Sequence, residues 1–151
     1  MNQTSVEHNT FVIERSYDAP IERVYAAWAE PEAKSRWFGI PDGEYALDFR
    51  VGGRELNRGS GPDGRVFTYD ARYQDIVVDQ RIVFAYSMLA DETLISVSLA
   101  TVEFAEKDSG TRLLYTEQGA FLDGNDNPHR RKDGTRGLLE ALGRQLEKSR
   151  G

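Results

Sequence analysis

The sequence predicts an α+β fold, in which a curved antiparallel sheet of six to seven strands wraps around a long C-terminal helix, with two short helices after strand 1. Three observations carry this. Apolar residues recur at helical spacing twice, at Ile21, Val24, Tyr25 and Trp28 and again at Leu138, Leu139, Leu142 and Leu146. From Glu44 onward the period changes from 3.6 to 2. The alternating runs are separated by turn chemistry, such as SGPDG at 60–64 and KDSG at 107–110.

FVIERSY (11–17) is rich in β-branched and aromatic residues and reads as the first strand. Residues 1–10 are polar and read as a flexible tail, which leaves 11–151 as a single domain. Pro20 suits the first turn of a helix, where its missing N–H has no partner to lose. Glu30-Pro31 interrupts that helix, because a residue before proline avoids the α region. A second short helix then runs from Pro31 to the RWFG segment, with Gly39 as its stop.

In EYALDFRV, Tyr45, Leu47, Phe49 and Val51 share one face of an expected strand, and Gly52-Gly53 marks a bend. RELNRG is a weaker strand. RVFTYDARYQDIVV (65–78) places Phe67, Tyr69, Ala71 and Tyr73 on one face, and RIVFAYSML (81–89) does the same for Ile82, Phe84, Tyr86 and Met88. In TLISVSLATVEF (93–104), Ile95, Val97 and Leu99 line up before Val102 and Phe104, so a bulge is expected near Ala100. TRLLYTEQG (111–119) is the last strand, with Leu113, Tyr115 and Glu117 on one face. The final helix starts within 128–135 and runs to about Lys148, with Gly137 and Gly143 expected to have packing reasons.

Composition excludes several functions. The net charge of −6 opposes a general nucleic-acid binder, which needs a basic face to displace counterions from phosphates. PHRRKDG (128–134) is the best local basic patch and reads as a solvated helix start. With no cysteine, disulfides, thiol nucleophiles and cysteine metal sites are ruled out. His8 and His129 are isolated and have no ligand spacing, so no metal and no cofactor is expected. Ser96 and Ser98 sit in a strand without a nucleophile elbow. VGG and GSGPDG lie between strands and lack the helix and lysine of a phosphate loop. No segment resembles a signal peptide or a membrane helix, so the expectation is a cytoplasmic protein with no membrane partner.

Five segments together resemble one superfamily: YDAPIERVYAAWAEPEAKSRWFG (17–39), LDFRVGG (47–53), YQDIVVDQRIVFAYSM (73–88), SVSLATVEF (96–104) and GTRLLYTEQGAFLDG (110–124), followed by an amphipathic helix. This is the START-like helix-grip superfamily, also known as SRPBCC or the polyketide cyclase and lipid-transport group. Within it, the chain is most similar to the heat-shock-protein-90 ATPase activator-like proteins, especially their bacterial single-domain members. The likeness covers about Phe11 to Lys148. The eukaryotic activators carry a further amino-terminal domain with no counterpart in these residues. The resemblance implies a deep, mostly apolar cavity between sheet and long helix. It also implies a chaperone partner and a stress-response role as one alternative.

On this basis the expected function is binding of a small hydrophobic or aromatic molecule. The candidate ligand-binding residues are Trp37, Phe38, Phe49, Phe67, Tyr69, Tyr73, Phe84, Tyr86 and Tyr115 from the aromatic set, with Glu117, Leu139 and Leu142. Trp28 is assigned to the core. A cyclase or hydrolase using Glu117 or Tyr86 as acid or base is the enzymatic alternative, since a carboxylate moved into an apolar cavity has a raised pKa. Arg15, Arg50 and Arg54 are the candidate partners of Glu117. A homodimer is left open.

Overall fold

A computed structural model describes residues 4–148. β1 (Val6–Tyr17) leads into α1 (Ile21–Ala29) and α2 (Pro31–Phe38). Then follow β2 (Glu44–Leu47), β3 (Arg54–Ser60), β4 (Val66–Val77), β5 (Arg81–Ala90), β6 (Thr93–Lys107) and β7 (Gly110–Leu122), and α3 (Pro128–Lys148) closes the chain. The strands form one seven-stranded sheet in the order β1-β7-β6-β5-β4-β3-β2, and every pairing is antiparallel. With a long helix after the last strand and two short ones after the first, this is the helix-grip architecture. None of the described helices is long and apolar enough to cross a membrane.

The first strand is longer than expected. Residues 6–10, read from composition as part of a tail, continue β1 in register from Val6 opposite Leu122 to Thr10 opposite Gln118. They are mostly polar because this edge segment is exposed. Tight turns join the strands, and three of them place an aspartate at positive φ: Asp79 at 61°, Asp91 at 53° and Asp108 at 56°. Aspartate visits this left-handed region more easily than most residues, because its short polar side chain bonds locally.

Glu30 is extended, with φ −89° and ψ 124°, and so separates α1 from α2 as the following proline requires. The indole N–H of Trp37 donates to the Ala27 carbonyl at 2.9 Å, which fixes the angle between the two helices. α3 is capped by Asn127, whose side-chain oxygen accepts from the His129 N–H at 2.8 Å. Its stripe of Leu139, Leu142 and Leu146 is buried against the sheet and the short helices. A fully buried leucine such as Leu142 contributes about 1.5–3 kcal/mol. Gly143 has a packing reason, since a Cβ there would lie 3.2 Å from the Tyr17 ring; Gly137 has none, and a Cβ there meets nothing within 4 Å.

Two strand expectations need correction. β2 stops at Leu47, so the expected alternation through Val51 does not continue as strand. The chain turns at 48–53 to enter β3, which leaves Val51 exposed while Phe49 still packs edge-on against Tyr25 and Tyr73. The phase slip in β6 lies at Ile95 and not near Ala100. Met88 pairs with Ser96 and Leu89 with Leu94, so Ile95 is the extra residue. As a result Ser96, Ser98 and Ala100 face inward, while Val97 and Leu99 are 43% and 40% exposed on the outer face. Small polar inner residues next to apolar outer ones invert the usual pattern, and this is why periodicity misplaced the slip.

Candidate functional site

The concave face of the sheet does not meet α3 everywhere. A cavity of about 380 Å³ remains between them, toward the lower end of the range usual for small-molecule sites. Phe67 and Tyr69 of β4, Phe84 and Tyr86 of β5, and Tyr115 of β7 form its sheet wall. Trp37 and Phe38 at the end of α2 form a side wall, and Leu139 of α3 covers it. Trp28, assigned by sequence to the core, is buried and also reaches the cavity, its ring 4.8 Å from that of Trp37.

Four of the candidate residues do not line this space. Leu142 belongs to the packed core, and Phe49 is partly buried against it. Tyr73 is buried, with its ring on Phe49 and its hydroxyl donating to Glu55 at 3.0 Å. Glu117 lies behind the wall. Its carboxylate accepts from the Tyr86 hydroxyl at 2.9 Å and from the Tyr115 hydroxyl at 2.8 Å. Burial pushes both phenols upward, so they remain protonated donors at neutral pH.

None of the three arginines named as candidate partners of Glu117 pairs with it. Arg15 pairs with Glu140, Arg50 with Asp48 and Arg54 with Asp70. The cation near Glu117 is Arg131, with Nη1 3.8 Å from the carboxylate. It belongs to the segment read as a solvated helix start, yet its side chain is only 9% exposed. The first turns of α3 lie over the mouth of the sheet, and this carries Arg131 inward. It donates to the Tyr86 hydroxyl at 2.9 Å, to Ser96 Oγ at 2.8 Å and to Asp126 at 2.5 Å. One guanidinium therefore ties α3 to β5, β6 and the loop before the helix. Its only sequence signal was its place in a basic run; the inward-facing Ser96 that receives it was hidden by the β6 slip.

A second buried cluster was also missed. Lys34 of α2 and Glu55 of β3 pair at 2.8 Å, and both side chains are 0% exposed. Tyr45 and Tyr73 donate to the same carboxylate, at 2.5 and 3.0 Å. The ammonium lies 4.4 Å from the Phe38 ring centroid and 5.0 Å from that of Trp28. Burial lowers the Lys34 pKa, and Glu55 opposes that shift. This cluster sets α2, and with it the Trp37–Phe38 wall of the cavity, against the sheet.

Burial raises the Glu117 carboxyl above its ordinary 4.5, while Arg131, Tyr115, Tyr86 and Ser98 pull it down. A carboxyl raised on folding holds its proton more tightly in the folded state. Its stabilising contribution is complete below the ordinary pKa and is lost as pH rises through the raised one. Glu117→Gln cannot titrate. Its stability relative to wild type should therefore increase from pH 4.5 upward, by about 1.4 kcal/mol per unit of upward shift. Urea unfolding of both proteins between pH 4.5 and 8 measures this; a difference that stays flat or falls with pH contradicts it.

A family model described as Activator of Hsp90 ATPase homolog 1-like protein matches residues 18–149. An uncharacterized protein from Rhizobium leguminosarum is 46% identical, with 97% of this chain and 99% of that chain covered and a TM-score of 0.93. A protein from Rhizobium loti is 51% identical over 93% of this chain and 99% of its own, with a TM-score of 0.88. A protein in the dynemicin biosynthetic locus shares the fold, with a TM-score of 0.70 at 19% identity over 93% of this chain and 48% of that one. Among curated proteins none matches.

Proposed function

The chain belongs to the Activator of Hsp90 ATPase homolog 1-like family of the START-like superfamily, and from that premise we propose that it binds a small hydrophobic or aromatic molecule in the cavity between sheet and α3. The observation that carries this reading is the 380 Å³ of aromatic-walled space that the side chains of the described residues leave unfilled. A void of this size would forfeit many packing contacts in a domain whose only role was to be stable. Two wall residues support the same reading. The Trp28 indole N–H and the Tyr69 hydroxyl are buried with no acceptor among the described residues, and an acceptor on a bound molecule would complete them.

Glu117 and Arg131 position the wall in this reading. The carboxylate holds the Tyr86 and Tyr115 rings, and the guanidinium holds the start of α3. The absence of cysteine suits a cytoplasmic setting. Native mass spectrometry after incubation with the neutral dye N-phenyl-1-naphthylamine should show one added dye mass per chain. Protein that carries none at saturating dye removes the reading. The family's description favours a second reading, stimulation of an Hsp90 ATPase; an ATPase assay with the matching chaperone that shows no stimulation removes that one.

A further inference from the structure

The charges around the cavity are unevenly signed. Among the described residues three guanidiniums line it, those of Arg65, Arg130 and Arg131, against one carboxylate, Asp126. This occurs in a chain whose net charge is −6. Arg131 and Asp126 satisfy each other at 2.5 Å, and Glu117 stands behind them. That leaves Arg65 and Arg130 at the rim. Arg65 is 44% exposed, and its guanidinium carbon lies 5.2 Å from the ring of Phe67, itself a wall residue. Asp63 holds its Nε at 2.7 Å, and among the described residues its terminal nitrogens are uncommitted. Arg130 is exposed and makes no ion pair among the described residues.

Resting on the binding reading above, we infer that the ligand is an amphipathic organic anion. Its apolar body enters toward Trp28, Trp37 and Phe84, and its acidic group, a carboxylate or sulfonate, stays at the mouth beside Arg65 and Arg130. The interior could not hold a bare charge without a large desolvation cost, whereas the rim keeps the acidic group partly hydrated. A guanidinium with free terminal nitrogens suits a planar or tetrahedral oxyanion, to which it donates two parallel hydrogen bonds. A cationic ligand would be repelled by Arg130, which no carboxylate among the described residues offsets, and a neutral one would make no use of it or of the terminal nitrogens of Arg65. The cationic rim of an acidic protein also gives incoming anions a local target.

A matched dye pair separates this inference from the reading it rests on. 8-Anilinonaphthalene-1-sulfonate and N-phenyl-1-naphthylamine share an aromatic body and differ by the sulfonate. At low salt the wild-type protein should bind the sulfonate dye about fivefold more tightly or better. That preference should shrink toward unity in Arg65→Gln/Arg130→Gln. It should shrink likewise in the unaltered protein as sodium chloride rises to about 0.5 M, where the screening length is only a few ångströms. Equal affinity for the two dyes, or a preference that survives both the double substitution and the salt, overturns the inference while the neutral dye's binding leaves the cavity reading intact. Binding of neither dye overturns both.

Discussion

Lys34→Met is expected to lose about 3–5 kcal/mol of unfolding free energy, because it leaves the Glu55 carboxylate buried with no countercharge. The pair is 2.8 Å apart with both side chains 0% exposed. The Tyr45 and Tyr73 hydroxyls that remain are hydrogen-bond donors, and they do not replace a positive charge. Combining Lys34→Met with Glu55→Gln should recover at least half of the loss. The glutamine oxygen still accepts from one tyrosine, its amide N–H can donate to the hydroxyl oxygen of the other, and no buried charge is left. Guanidinium unfolding of the wild type, the single variant and the double variant gives the three numbers. A single variant that loses less than about 1 kcal/mol, or a double variant no more stable than the single, would mean that the pair does not anchor α2 as described.

Gly134→Phe is expected to weaken binding of N-phenyl-1-naphthylamine by at least about tenfold, a change near 1.4 kcal/mol. Gly134 lies on α3 at the cavity lining, and a Cβ there meets nothing within 4 Å, so a phenyl group can occupy the space now left to a ligand. Gly137 is the control on the same helix. A Cβ there also meets nothing, but the residue does not reach the cavity. Alanine at either position should stabilise the helix by about 0.5–1 kcal/mol. Phenylalanine at 134 should therefore cut dye affinity without unfolding the protein, and phenylalanine at 137 should not. Equal dye affinity in the two phenylalanine variants would show that the dye binds elsewhere.

Both predictions turn on residues that a linear reading treated unevenly. The inner faces of β4, β5 and β7 were legible because their apolar and aromatic residues alternate without interruption. Tyr69, Phe84, Tyr86 and Tyr115 accordingly stand together on one cavity wall. Glu117 was singled out because it ends such a run, and its burial decides against the solvated charge that the run also allowed. The charged residues that organise the site escaped notice for a physical reason. Lys34 and Glu55 are 21 positions apart, and Arg131 meets Tyr86 across 45. Each, taken alone, looks like a solvated side chain, since burying a charge is costly. Only the partner makes burial tolerable, and the partner is set by the sheet and helix docking. The β6 slip had a similar origin: Ser96 and Ser98 face inward near the site, where Ser96 receives Arg131. Tyr73 followed the alternation correctly but ended, with Phe49 beside it, in the packed layer around Glu55, because the cavity occupies only part of the concave face.

In the proposed function a small apolar molecule enters the space between sheet and α3. The chain's two tryptophans, Trp28 and Trp37, both line that space, so energy transfer from tryptophan to bound N-phenyl-1-naphthylamine reports occupancy of this cavity. Wild-type protein should show strong tryptophan quenching with matching dye emission that saturates at one dye per chain, and both should be weakened in Gly134→Phe. Dye emission that rises without quenching the tryptophans, or never saturates, would contradict it.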